Sequence, residues 1–364
     1  MARGSAEQDA DRLAQALHES CAAPALSLAV ANAGGPLWQA AYGKADLEFG
    51  VEATPDHLFR LGSVSKVITT VAAARLALRG IVELDTAIAY WLPDLPEQHR
   101  ATTLRQLLTH RGGIRHYGPG DLDHKAPGGP ITHRSYNGRD EILALFIDDP
   151  LVAPPGEAVS YSSFGYTLAS FVMEAAAGVE FTQLMWEEVA APFGLPSLRP
   201  DHVLEVVPLR ARGYFSAQEL AFISSKMPGI SPPKVTGDHA NVLLSNPSFC
   251  WAGAGFLMSM PDTAKFGAAM LDGPGSRITA EERALLFTPL TKQTDQSPPL
   301  GLGWRVDEDA KGRLRWHHAG STPGGRAGLV VYPDSGLSIA LAGNTMTAPG
   351  DVLGPAGELA DIFG

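Results

Sequence analysis

Apolar and polar positions along the chain change texture three times. Residues 6–20 set Leu13, Ala16 and Leu17 among polar neighbours, which predicts an amphipathic N-terminal helix. A short apolar run over 26–31 meets Asn32 and the Gly34-Gly35-Pro36 turn, and 37–42 follows, so 26–42 reads as a β-hairpin. A brief strand over 58–61 leads into a long apolar run, 67–78, read as a helix that Arg79-Gly80 ends, with glycine where a left-handed cap is wanted. From Ile81 short helical pieces such as 103–110 and 141–147 are broken by proline and glycine. Helical periodicity returns over 164–177 and 181–190. Two loop-like stretches, 112–138 and 227–247, each exceed the ~15 residues beyond which loops are usually functional or disordered. From Trp251 strand patterns resume at 255–258, 302–306, 314–317, 327–332 and 337–342, and 356–363 reads as a closing helix.

Strand patterns thus stand at both ends with helices between them. The simplest assembly is an α+β fold: a central antiparallel sheet built from the N-terminal hairpin and the C-terminal strands, flanked by the terminal helices, with an inserted all-helical lobe. The expected division is 1–79 with 250–364 as the α/β lobe and 80–249 as the helical lobe, the active site lying between them. The composition supports a large core: 364 residues, 45% hydrophobic and 18% charged. A net charge of −11 with scattered basic residues disfavours the concentrated basic surface that phosphate binding needs, so nucleic acid is not an expected partner. The longest apolar runs are too short for a membrane span, and no apolar segment of a secretory leader follows Met1. The expected location is the cytoplasm, or the periplasm or exterior if a leader had been removed. Cys21 and Cys250 are far apart and read as two buried free thiols.

The chemistry starts at Ser63-Val64-Ser65-Lys66. On a helix, residues three apart share a face, ~4.5 Å apart along the axis. A serine hydroxyl needs a base, and a nearby desolvated lysine serves as that base or assists another. A serine that begins a helix also turns its own N–H toward a developing oxyanion. Tyr161-Ser162-Ser163 stands just before the 164–177 helix. A phenol titrates near ~10 and acts as a base near neutrality only beside a cation, which Lys66 would supply; otherwise Tyr161 is a packed aromatic. Trp316-His317-His318-Ala319-Gly320-Ser321 ends a strand with a small residue and a glycine, so a ligand can lie against the strand edge and backbone N–H groups can meet a carbonyl oxygen. His110, His116, His124 and His133 share one segment, but with no His-Glu-x-x-His and no cysteine pair they do not read as a metal site. No metal and no cofactor is expected.

Taken together, Ser63-x-x-Lys66, Tyr161-x-Ser163 and His318-x-Gly320 resemble the serine β-lactamase and penicillin-binding-protein superfamily. The resemblance extends to Phe59-Arg60-Leu61-Gly62, Gly80-Ile81-Val82-Glu83-Leu84-Asp85, Leu107-Leu108-Thr109-His110 and Ala252-Gly253-Ala254-Gly255-Phe256, and covers about 20–345. Within the superfamily the chain is most similar to the class C and family VIII carboxylesterase branch, and also resembles the mitochondrial β-lactamase-like serine peptidases. The resemblance implies a β-lactamase/D,D-peptidase-like fold. It implies Ser63 as acyl-accepting nucleophile, Lys66 as its proton partner, Tyr161 as base, and Ser163 as the residue that steadies Lys66 and the substrate. The N–H groups of Ser63 and Ser321 would form the oxyanion site beside Gly320, and His318 would take the cationic position of the third motif. Two departures stand out: Ser163 where class C enzymes carry asparagine, and His318 where dedicated β-lactamases carry lysine. His318 would make the charge titratable near ~6.5.

The expected activity is metal-free hydrolysis of small-molecule esters with short acyl chains through an acyl-Ser63 intermediate, with amides as a further substrate class and weak β-lactam hydrolysis beside it. A β-lactamase, a D-Ala-D-Ala carboxypeptidase or another serine peptidase is the second reading. An acyltransferase, and a catalytically silent assembly-forming scaffold, complete the set. Oligomeric state is not legible.

Overall fold

The computed structural model describes residues 4–123, 125–226, 237–242, 245–294 and 297–364. Its centre is a seven-stranded antiparallel sheet drawn from both ends of the chain. In spatial order the strands are Val51–Glu52, Gly35–Asp46, Ala25–Asn32, Leu337–Gly343, Gly325–Tyr332, Leu314–Thr322 and Arg305–Glu308. The middle pairing joins Ala25–Asn32 to Leu337–Gly343, with Ala29 opposite Ala340. A second small sheet pairs Phe59–Arg60 and Arg199–Pro200 with Phe256–Met258.

The alternation of side chains explains why the inner strands read as unbroken apolar runs. Leu26, Leu28, Val30, Ile339 and Leu341 turn to one face, where helices Ser5–Ser20 and Leu353–Phe363 cover them with Ala10, Ala14, Ala356 and Leu359. Ala25, Ala29, Ala31, Ala340 and Ala342 turn to the other face and join the main core with the helices. Small residues are required there because helix Met260–Ala268 lies close: a Cβ on Gly267 would come 2.2 Å from Ser338 Oγ. Each large aliphatic side chain buried in this way contributes about 1.5–3 kcal/mol.

Helix Ser65–Leu78 runs through that main core, buried from Ser65 to Ala74, which accounts for its apolar, weakly amphipathic sequence. Helix Ser163–Ala177 packs nearby with Phe164, Leu168, Val172 and Met173 buried, and Gly178 ends it at φ +72°. Several boundaries differ from the sequence reading. The expected 181–190 helix is α-helical only over Phe181–Met185; a π turn follows over Trp186–Ala190, where Arg75 donates to the Glu188 carbonyl at 2.7 Å. The expected 302–306 strand begins only at Arg305, because the chain folds back on itself with Gly301 N–H donating to Trp304 O at 2.9 Å. The expected 314–317 strand runs on to Thr322, and the closing helix starts earlier, at Leu353. The 112–138 stretch holds two short 3₁₀ turns, Pro119–Leu122 and Ile131–His133. The 227–247 stretch lies largely outside the described residues; helix Ala217–Lys226 precedes it, and His239–Asn241 within it pairs with Tyr214–Ser216. Cys250 is buried, and burial pushes its thiol up to about 12; Cys21, expected to be buried, is only partly so. No described helix is long and apolar enough to cross a membrane.

Candidate active site

Ser63 does not open the α-helix, as the sequence suggested, but sits in a 3₁₀ turn, Gly62–Val64, that runs straight into it. Strand Leu314–Thr322 passes directly over this turn, and two glycines make the approach feasible. A Cβ on Gly62, which has φ +51°, would lie 2.7 Å from Ser321 N. A Cβ on Gly320 would lie 1.9 Å from Leu61 O and 2.7 Å from Ser63 N. The backbones of Ser63 and Ser321 are therefore side by side. The pairing of strand Arg305–Glu308 with Leu314–His317 stops short of His318 to Thr322, and Ser321 and Thr322 line the cavity described below. Two N–H groups in this relation suit a carbonyl oxygen that gains charge.

Lys66, the next turn of the helix, is fully buried. Its Nζ donates to Ser63 Oγ at 3.1 Å, Ser163 Oγ at 2.9 Å and the Gly253 carbonyl at 2.8 Å. Three oxygen atoms thus surround Nζ, as many as an ammonium has N–H bonds. The Gly253 carbonyl is the partner the sequence reading missed, since a backbone acceptor leaves no residue-type signal.

Tyr161 lies beside Lys66, with Nζ 4.8 Å from its ring centroid, and its hydroxyl donates to Ser63 Oγ at 2.7 Å. Burial raises the phenol, yet the adjacent Lys66 charge, the Ser63 hydrogen bond and the Arg305 charge outweigh it, and Tyr161 lies below the usual tyrosine range. Its position follows from the helix behind it. Ser162 caps Ser163–Ala177, its Oγ accepting from Gly165 N at 2.9 Å and donating to Arg115 O at 2.8 Å. His110 Nδ1 accepts from Ser162 N and His116 Nδ1 from Ser163 N, each at 3.2 Å. Three side chains thus take up N–H groups at the start of that helix. The two rings also pack on Tyr161, with centroids 4.4 Å and 5.3 Å away.

His318 stands 6.5 Å from the Tyr161 ring and is 2% exposed. Burial, then the Arg305 and Lys66 charges, hold it well below the usual histidine range. Its Nδ1–H donates to the Ala319 carbonyl at 2.7 Å. The cation expected to titrate near ~6.5 is thus disfavoured in its charged form, chiefly by burial and then by the neighbouring positive charges. His116 is pushed down to about 4 by burial and Lys66, and His110 is lowered for the same first two reasons. Among the described residues the histidines form no ligand set for a metal; His124 lies outside them.

Ser63 opens onto a cavity of about 340 Å³. Tyr117, Phe215, Phe222, Phe249, Pro323 and Met346 give it an apolar wall, and Ser163, Asn246 and Ser321 give it uncharged polar groups. Among the described residues no Asp, Glu, Lys or Arg side chain lines it, and neither Tyr161 nor His318 does.

Comparison with known proteins agrees with this geometry. The mouse mitochondrial serine β-lactamase-like protein LACTB is 25% identical over 409 aligned positions, covering 87% of this chain and 71% of that protein. Esterase EstB of Burkholderia gladioli is 33% identical over 190, covering 50% of this chain and 48% of that one. The D-amino acid amidase of Ochrobactrum anthropi SV3, solved with L-phenylalanine amide, superposes with a TM-score of 0.79 at 20% identity, covering 99% and 98% of the two chains. The β-lactamase family model matches residues 10–361, and the chain belongs to that family, as a hydrolase of the serine β-lactamase and penicillin-binding-protein superfamily.

Proposed function

We propose that the protein is a carboxylesterase that acts through an acyl-Ser63 intermediate on uncharged esters with an apolar acyl group. The largely apolar cavity that opens on Ser63, with no Asp, Glu, Lys or Arg among its described lining residues, carries this reading. In the proposed reaction Ser63 Oγ attacks the ester carbonyl and passes its proton to the Tyr161 phenolate. The carbonyl oxygen takes up charge facing the N–H groups of Ser63 and Ser321, and Lys66 remains an ammonium that holds the phenolate. Tyr161 then protonates the departing alkoxide and the alcohol leaves; next Tyr161 takes a proton from the attacking water and returns it to Ser63 Oγ as the acid is released, which restores the phenolate. Since Tyr161 serves the leaving group and lies outside the cavity lining, the leaving group sits on the Tyr161 side and the acyl group fills the cavity. Its volume suits a medium-length or aryl chain, longer than the short chains expected from the sequence.

Charged acyl donors suit this site poorly. A β-lactam carboxylate would meet neutral His318 instead of a lysine, and a D-aminoacyl ammonium would meet no carboxylate among the described lining residues. The test is a panel of p-nitrophenyl acetate, butyrate and octanoate, with nitrocefin, D-phenylalanine amide and a D-Ala-D-Ala peptide. The expected order is octanoate and butyrate above acetate, with the charged compounds far behind, and all turnover lost in Ser63→Ala. Fast nitrocefin or peptide cleavage with slow ester cleavage would replace the esterase reading with a β-lactamase or peptidase. Ester turnover that persisted in Ser63→Ala would remove the mechanism.

A further inference from the structure

Arg60 stands three residues before Ser63, on strand Phe59–Arg60, and is mostly buried. Its guanidinium reaches three other segments. Nε lies 2.8 Å from Oδ2 of Asp201, a carboxylate 2% exposed. Nη1 donates to the Pro323 carbonyl at 2.7 Å, and Nη2 to the Ser245 carbonyl at 3.4 Å. The backbone closes in as well: a Cβ on Gly325 would lie 2.5 Å from Arg60 Cβ and 3.0 Å from Arg60 O. Pro323 follows Ser321 by two residues, in the tight turn between strands Leu314–Thr322 and Gly325–Tyr332. Pro323 and Ser245 both line the cavity on Ser63.

An ion pair alone would explain Asp201 and Nε, and a lysine could make it. The other two nitrogens need a planar fork, and both spend their hydrogen bonds on carbonyls at the cavity rim. One side chain therefore ties the segment that carries Ser63 to the turn that ends the strand carrying Ser321.

We propose that Arg60 is a positioning residue that sets the Ser321 N–H against Ser63 and so completes the oxyanion site; the inference rests on the acyl-Ser63 reading above. A donor displaced by a fraction of an ångström still leaves the cavity able to bind, so the loss belongs to the chemical step, not to substrate binding.

Arg60→Met would leave buried Asp201, among the described residues, with Arg210 as its remaining ion-pair partner, Nε at 3.5 Å, and endanger folding. Arg60→Lys keeps the ion pair and removes the fork, so it is the informative variant. Expected for R60K are a thermal unfolding curve close to that of the unaltered protein, an unchanged KM for p-nitrophenyl butyrate, and a kcat lower by about 10- to 100-fold, somewhat less than the cost of deleting an oxyanion donor. The rate of fluorophosphonate labelling at Ser63 should fall in parallel, since that reaction loads charge onto an oxygen in the same place. Unchanged kcat and labelling in R60K would overturn the proposal, and so would a rise in KM at constant kcat, which would make Arg60 a wall of the cavity only. If the unaltered protein itself neither cleaved esters nor took up the label, the acyl-Ser63 reading would fall, and this inference with it.

Discussion

His318 differs from a lysine at the same place in what it does to Tyr161. A neutral imidazole, with its Nδ1–H held by the Ala319 carbonyl, leaves Lys66 as the cation that donates to Ser63 and adjoins the phenol. Activity that depends on the Tyr161 phenolate rises with pH through a group below the usual tyrosine range. His318→Lys would add a second positive charge beside the phenol and stabilise its ionised form. The low-pH limb of kcat/KM should then move to lower pH, as a pH–rate profile on a neutral ester would reveal. A limb that stayed in place or moved upward would count against Tyr161 as the base. At this scale the sequence was informative about residue types and poor about charge states. Ser63, Lys66 and Tyr161 could be picked out as one set, and they meet within hydrogen-bonding distance. That His318 is neutral depends on burial and on Arg305, which no spacing rule connects to it.

Helix Ser163–Ala177 owes its alignment to a start where the side chains of Ser162, His110 and His116 take up backbone N–H groups. Ser162→Ala removes the cap on Gly165 N and the bond to Arg115 O together. It should lower stability by about 1 kcal/mol, within the usual range for a lost N-cap. Because Tyr161 precedes the cap directly, kcat should fall as well, and chemical unfolding run beside ester kinetics would separate the two effects. Loss of stability with kcat intact would show that the cap does not align Tyr161. Element types were legible where periodicity was long, as over 164–177. They were misread where the backbone departs from regular pairing: at the Trp186–Ala190 π turn, before Arg305, and at the 3₁₀ turn that holds Ser63. Such departures depend on tertiary partners, such as the Arg75 contact with Glu188, and leave no local pattern.

Across the whole molecule, buried histidines make stability depend on pH. His110, His317 and His318 are lowered chiefly by burial, as are His57 and His99, and His116 is pushed down to about 4. Below the ordinary histidine pKa near ~6.5 the unfolded chain binds protons that the folded chain refuses, so stability falls as pH drops through that value. The melting temperature should decline between pH 7 and pH 5, before most carboxylates titrate, and the decline should be shallower in His318→Gln. A melting temperature flat across that window would mean that these rings accept protons in place. The antiparallel sheet shared by the two ends of the chain was legible from the strand patterns, whereas the cavity behind Ser63 was not, since its lining comes from segments scattered between Ser63 and Met346. That pairing of ends has a consequence during translation. Strand Ala25–Asn32 must wait for Leu337–Gly343 before the centre of the sheet can close, and Ser63 must wait for Ser321. A nascent chain can have made its serine, lysine and tyrosine and still lack the second oxyanion donor, so its nucleophile is synthesised long before the site that would make it reactive.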